Sequence, residues 1–240
     1  MDWSLFRFVN VVDLTQPLFE GMPVFPGDPE VSRTPLPESP EYPGVRGMLL
    51  SFSDHTGTHL DAPAHLLEDG LTVDRIAAPD LIRPALMIDV REECLDDDDH
   101  RIGLQPLEAW EKRHGWVPPG SIVLFQTGWS FRFGDRDRYL PRDEGGTLHT
   151  PGISGDLAVF LAEERQVQGV GIDAPSIDVG RSTSLPAHRA LLAGGCYLLE
   201  NLTNLHGLPE VDFQVIVAPL KLRGCTGSPC RVLALVPKPL

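Results

Sequence analysis

Proline and glycine punctuate the whole chain, 23 of each in 240 residues, so turns interrupt its structure at short intervals. The densest stretch is GMPVFPGDPEVSRTPLPESPEYPG, from Gly21 to Gly44. It cannot be a continuous helix or a central strand, because each proline lacks an N–H and fixes φ. We read residues 16–44 as an irregular arm that crosses the surface and touches a pocket. Between the breakers lie apolar runs of strand type: VRGMLLSF, PALMIDV, SIVLFQTG, VQGVGID, CYLLENLTNL, FQVIVAPLKL and RVLALVP. Three segments read as helices. They are LQPLEAWEKRHG, ended by Gly115, then SGDLAVFLAEERQV, and LPAHRALLAGG with Pro186 in its first turn and Gly194–Gly195 as its stop. Strands outnumber helices and are mixed with them. This predicts one mixed α/β domain over 1–240, its strands forming a central barrel-like or layered sheet.

Charge excludes one class of partner. The chain carries 20 basic and 34 acidic residues, a formal net charge of −14, which argues against nucleic acid. Part of the excess is the run Asp96–Asp99, read as a solvated loop. No apolar run approaches the roughly 18 residues that a membrane-spanning helix needs. The start, MDWSLFRFVNVVDL, lacks a basic region followed by a long apolar one and does not read as a signal peptide. A cytoplasmic address follows, and with it free thiols at Cys94, Cys196, Cys225 and Cys230. The alternative is that Cys225 and Cys230 face each other across a hairpin turned at TGSP. A four-cysteine zinc site is not expected, because Cys94 and Cys196 are isolated.

The chemistry concentrates in HTGTHLDAPAH, which holds three of the eight histidines in eleven residues. His55, His59, Asp61 and His65 are all odd-numbered, so an extended chain would present them on one face. A helix would turn Asp61 away, and Gly57 and Pro63 oppose one. Neutral imidazole and carboxylate are ligands for zinc, and for manganese with more oxygen donors. Two further candidates lie far along the chain. His188 falls in the first turn of its helix. Glu200 lies inside an apolar strand, where a carboxylate is costly unless paired, metal-bound or turned to solvent. Asp173 and Asp178 read as turn residues or braces of the site, and Ser228 as a turn residue or a substrate contact. His100, His114 and His206 read as surface or cap residues. His149, inside the segment 131–149, has no evident place.

Taken with GIDAPSID, LPAHRALLAGGCYLLENLTNL and APLKLRGCTGSP, the H-x-G-T-H-x-D-x-P-x-H pattern resembles the cyclase family of metal-dependent hydrolases. That family includes bacterial kynurenine formamidases, isatin hydrolases and proteins described as polyketide cyclases. The resemblance runs from about Val12 to Val236. It implies a swivelling β/β/α fold, assembled as a homodimer or homotetramer. It also implies one or two divalent ions, zinc or manganese. His55, His59 and Asp61 would hold the first, and Asp61, His188 and Glu200 the second. His65 matches the family's proton donor and acceptor. Phe25 stands where formamidases commonly carry a substrate-contacting tryptophan. The leading expectation is hydrolysis of a carbonyl C–N bond in a small aromatic amide or lactam. The alternatives are cyclisation of an aromatic polyketide, and a binding protein with a structural metal.

Overall fold

The computed structural model describes residues 9–238. The first eight residues of the stretch that reads as no signal peptide therefore lie outside the described residues. The described residues form twelve strands: β1 (Val9–Asp13), β2 (Ser32–Pro35), β3 (Met48–Ser51), β4 (His59–Asp61), β5 (Ile82–Asp89), β6 (Arg101–Ile102), β7 (Ile122–Gln126), β8 (Gly152–Ile153), β9 (Gly169–Ile172), β10 (Tyr197–Glu200), β11 (Phe213–Pro219) and β12 (Gly227–Pro237). The helices are α1 (Arg91–Cys94), α2 (Gln105–His114), α3 (Arg136–Tyr139), α4 (Gly155–Val159) and α5 (Pro186–Ala193).

Seven of the strands close on themselves in the order β12-β11-β5-β7-β9-β10-β4, with β4 returning to β12. The result is a mixed α/β domain around a closed seven-stranded barrel. Strands β5, β7, β9 and β10 run parallel, and β4, β11 and β12 pair antiparallel. Strand β1 extends the carboxyl-terminal half of β12.

The continuous apolar runs follow from this closure. A barrel strand is buried on both faces, so its residues alternate between two cores instead of between core and water. In β5, Ala85 and Met87 belong to the cluster inside the barrel, while Leu86 and Ile88 belong to the outer cluster beneath the helices. In β7, Ile122 and Leu124 point inward, and Val123 and Phe125 point outward. Leu107 and Trp110 of α2, Leu157 of α4, and Leu191 and Leu192 of α5 cover the outer face.

Several boundaries differ from the sequence reading. The arm is not wholly irregular: β2 within it pairs with β3 as a separate two-stranded ribbon, exposed at every position. The helix expected over SGDLAVFLAEERQV is α4 followed by a π-turn over Phe160–Glu164, where Arg165 N–H reaches back to Phe160 O. TGSP is not a hairpin turn, because Gly227, Ser228 and Pro229 are the first residues of β12 and pair with β4. Cys225 and Cys230 consequently do not face each other, and all four thiols are free. Among the described residues no helix is long and apolar enough to cross a membrane.

Candidate metal centre

The site lies on the outer face of the barrel, under the start of α5. In β4, Leu60 packs into the barrel interior, so His59 and Asp61 on either side of it point outward. The antiparallel register sets Glu200 of β10 opposite His59, on the same outward face. The parity argument therefore holds for His59 and Asp61. It fails for His55 and His65, because β4 is only three residues long. His55 precedes a turn in which Gly57 takes φ +64. His65 ends a 3₁₀ turn over Pro63–His65.

Tertiary packing nevertheless brings both back. His55 Nδ1 lies 2.6 Å from Asp61 Oδ1. The His65 ring stacks 4.1 Å from that of His55 and 6.0 Å from that of His188. Gly227 makes the first approach possible, since a Cβ there would meet His55 Cε1 at 2.5 Å. Gly57 has a second constraint beside its φ, because a Cβ would strike the Leu18 side chain at 2.3 Å.

At the centre, two imidazole nitrogens face two carboxylates. His59 Nε2 lies 3.3 Å from Asp61 Oδ1 and 3.5 Å from Glu200 Oε2. His188 Nε2 lies 3.6 Å from Asp61 Oδ2 and 3.2 Å from Glu200 Oε1. These are long for hydrogen bonds but suit a metal: four ligands at about 2.1 Å in a tetrahedron sit roughly 3.4 Å apart. Asp61 Oδ2 is buried and has no hydrogen-bond donor. Ligand-type atoms of His59, Asp61 and Glu200 converge within 4.8 Å, as do those of His55, Asp61 and His65. Asp61 is common to both groups. His55 Nδ1 and His59 Nε2 both face Asp61 Oδ1, with their rings 5.3 Å apart, while His188 Nε2 faces Asp61 Oδ2 and Glu200 Oε1.

Electrostatics fit a cation. Burial opposes the charged form of His59, yet Asp61 and Glu200 outweigh it and raise its pKa to about 9. Burial likewise opposes a charged His188, but its hydrogen bond to Asp178 and the nearby carboxylates of Asp61 and Glu200 hold it well above the imidazole range. Burial pushes the Asp61 carboxyl up, and the charge of His59 together with the nearby His188 and the hydrogen-bonded His55 brings it far below the carboxylate range. The buried carboxylates thus demand positive charge beside them, which protons or a divalent ion can supply. His65 is different: burial dominates and lowers its pKa. Neither of its ring nitrogens has a protein partner among the described residues.

A surrounding layer aims the ligands. Asp178 accepts from the backbone N–H groups of Ala187 and His188, each at 3.0 Å, and from His188 Nδ1 at 2.7 Å. It anchors the first turn of α5 and leaves Nε2 facing the cluster. Ile177 N–H donates to Glu200 Oε1 at 2.7 Å. Gly57 O accepts from His59 Nδ1 at 2.8 Å and from Asn201 Nδ2 at 2.9 Å. Tyr139 O–H donates to Asn201 Oδ1 at 2.8 Å. His55 Nε2 lies 2.9 Å from Thr226 Oγ1.

Of these, the sequence raised Asp178 only as an unassigned brace, and Asn201 and Tyr139 not at all. CYLLENLTNL reads as strand throughout, whereas β10 ends at Glu200 because Asn201 turns to φ 56. Asp173 is structural: it accepts from Thr127, Gly128 and Ser130. Ser228 is fully buried, bonded to Leu220 N–H and Pro229 O, and does not line the pocket. His149 pairs with Asp99 and Arg132 with Asp98, so the acidic run and the 131–149 segment hold each other at the surface. That segment also carries Tyr139 and Leu140 into the pocket wall.

The cluster opens into a cavity of about 230 Å³. The arm contributes Pro23, Val24, Phe25 and Asp28, and Pro175, Ser176 and Leu185 complete the wall. Apart from the histidines, Asp61 and Glu200, the one acidic side chain among the described lining residues is Asp28, and none of these residues is lysine or arginine.

The chain is similar to known proteins along most of its length. A family model described as "Putative cyclase" matches residues 12–179. An isatin hydrolase of Roseibium aggregatum is 36% identical over 247 residues, covering 96% of this chain and 93% of that protein. A kynurenine formamidase of Paracidovorax citrulli is 34% identical over 234 residues, covering 94% and 96%. The crystal structure of an isatin hydrolase bound to the product analogue thioisatinate superposes with a TM-score of 0.90 at 33% identity, covering 98% of this chain and 95% of that one.

Proposed function

The chain belongs to the cyclase family, and on that premise we propose that it is a metal-dependent hydrolase of a carbonyl C–N bond in a small neutral aromatic lactam or amide. The observation that carries the proposal is the convergence of His59, His188, Asp61 and Glu200 at metal-ligand spacing, with Asp61 Oδ2 buried and unpartnered beside an open cavity. His55 is the fifth ligand candidate, since its Nδ1 lies against Asp61. The donor set of imidazoles and carboxylates suits zinc or manganese, one or two ions per chain. When bound, such an ion supplies Lewis-acid activation of water and of the carbonyl.

The rest is done by this chain. Asp178, Ile177 N–H and Gly57 O hold His188, Glu200 and His59 so that their free atoms face the centre. His65 stands beside the cluster with both ring nitrogens free of partners among the described residues. It takes the proton of the attacking water and returns it to the leaving nitrogen. Phe25 offers a ring face at the mouth, suited to stacking on an aromatic substrate.

The lining supports the substrate class. With no lysine or arginine among the described lining residues, a substrate carboxylate finds no basic partner there, which favours a neutral lactam of the isatin type over a kynurenine-type amino acid. Phe25 in place of tryptophan agrees. A cavity of this size also favours one or two rings over a folded polyketide chain.

The test is to load the purified protein with zinc or manganese, present isatin, formanilide, N-formylkynurenine and a linear aromatic-polyketide precursor, and follow products by mass spectrometry. Gain of one water on isatin or formanilide is the expected result. Loss of water from a polyketide substrate, with no hydrolysis, would establish the cyclase alternative instead. His65→Ala should retain metal and fold and lose roughly 10²–10⁴-fold in turnover.

A further inference from the structure

Hydrolysis of an amide or lactam builds negative charge on the carbonyl oxygen, and a neutral donor aimed at that oxygen lowers the barrier. The hydroxyl and imidazole groups that line the cavity can be sorted by what they already bind. His55 is engaged at both nitrogens, by Asp61 and Thr226. His59 and His188 each have Nδ1 committed, to Gly57 O and to Asp178, with Nε2 facing the carboxylates. The Tyr139 hydroxyl donates to Asn201. His65 and Ser176 remain.

Ser176 is 7% exposed and lies in the loop that follows β9. Its Oγ accepts from the Asp178 N–H at 3.2 Å. Among the described residues its own proton has no acceptor. A buried hydroxyl with an unused donor is unfavourable unless something in the cavity accepts from it. The loop around it is tied to the cluster on both sides. Ile177, the next residue, holds Glu200 through its N–H, and Asp178 after it holds His188. Ser176 is thereby fixed at the edge of the cluster by the same backbone that aims two of the ligands.

We propose that Ser176 is a catalytic residue whose hydroxyl donates a hydrogen bond to the substrate carbonyl oxygen. The inference rests on the hydrolase reading above. In the step, the water oxygen bonds to the carbonyl carbon and the C–N bond breaks. One water proton passes through His65 to the leaving nitrogen. Ser176 keeps its proton throughout, and its bond tightens as charge collects on the oxygen.

The experiment uses the metal-loaded full chain, with isatin, formanilide and thioformanilide as substrates and Ser176→Ala and Ser176→Thr as variants. Ser176→Ala should lower kcat on the oxygen substrates by about 10- to 100-fold, below the full worth of a sole oxyanion donor because the ion shares the charge. KM and metal affinity, measured by chelator competition, should stay within about twofold of wild type. Ser176→Thr should recover most of the rate. The loss should shrink on thioformanilide, whose sulfur is a poor acceptor, a difference that a purely structural serine would not produce. An alanine variant with kcat/KM within about twofold of wild type on isatin and formanilide overturns the assignment. So does a rate restored by saturating metal, which would mean that Ser176 acts only by steadying Asp178. If wild type hydrolyses neither oxygen substrate, the hydrolase reading itself falls, and the assignment falls with it.

Discussion

Asp178→Asn tests whether the layer around the ligands sets metal affinity. Asp178 presents only acceptors, and three N–H groups use them: Ala187 N on Oδ1, and both His188 N and His188 Nδ1 on Oδ2. An asparagine offers one oxygen and one NH₂ in the same space. With its oxygen toward His188, the NH₂ opposes the Ala187 N–H. Turned the other way, the NH₂ opposes both His188 donors and pushes the ring toward the tautomer with hydrogen on Nε2, the atom that faces Asp61 and Glu200. Either orientation disturbs a buried donor, and the second removes the ligand lone pair. Removing such a partner typically costs 10–100-fold in metal affinity, or about 1.4–2.8 kcal/mol. The lost charge at the start of α5 costs roughly 0.3–2 kcal/mol of stability. For a chain of this length that is up to about 8 °C in Tm. The assay is a chelator-competition titration of metal-free protein with zinc and with manganese, paired with melts at zero and saturating metal. Weaker metal binding with a lower Tm is expected. A lower Tm at unchanged metal affinity would refute the reasoning, because Asp178 would then be only an anchor for α5.

Glu200→Gln removes a charge that faces both His59 and His188, and should lower metal occupancy or turnover by orders of magnitude; activity and metal content like wild type would place Glu200 outside the site. Elemental analysis of protein purified without chelator should find one or two divalent ions per chain, and chelation should abolish activity until metal is restored. Away from the site, the Arg165 guanidinium holds the Glu111 carboxyl below the usual range, with Val117 N–H assisting. A depressed carboxylate stabilises the fold above the ordinary carboxylate range and loses that contribution as pH falls through its lowered pKa. Glu111→Gln should therefore melt below wild type at pH 7, with the gap closing on acidification; a gap independent of pH would contradict the pairing. Light scattering over a dilution series should give a homodimer or homotetramer, an expectation supported by the exposed apolar residues Met48, Leu49 and Leu50 on the β2–β3 ribbon, and a strict monomer at micromolar concentration would refute it.

What the sequence determined by itself was local. Runs such as PALMIDV and SIVLFQTG announce β5 and β7, because strand type depends on residues a few positions apart. Gly115 and Pro186 mark the end of α2 and the start of α5, since a left-handed cap and a missing N–H are properties of single residues. The alternation of His59 and Asp61 on one face was legible because β4 spans those positions. His55, Asp61 and His65 do lie together, but not along one strand face, since the strand spans neither outer histidine. Their return depends on a tight turn at Gly57, a 3₁₀ turn after Pro63, and space left by Gly227 on β12. Barrel closure was decided only in three dimensions. TGSP looks like a turn in isolation, and becomes strand because β4, more than 160 residues earlier, offers it an edge to pair with. The same holds for Asp178, Tyr139, Asn201 and Ser176. Their contacts were set only in three dimensions, because their partners, from Gly57 to His188, are brought beside them by sheet pairing and helix packing. Side chains report the conformation of their neighbours in sequence. A site assembled across a barrel is specified by contacts between distant segments, and those exist only once the barrel has closed.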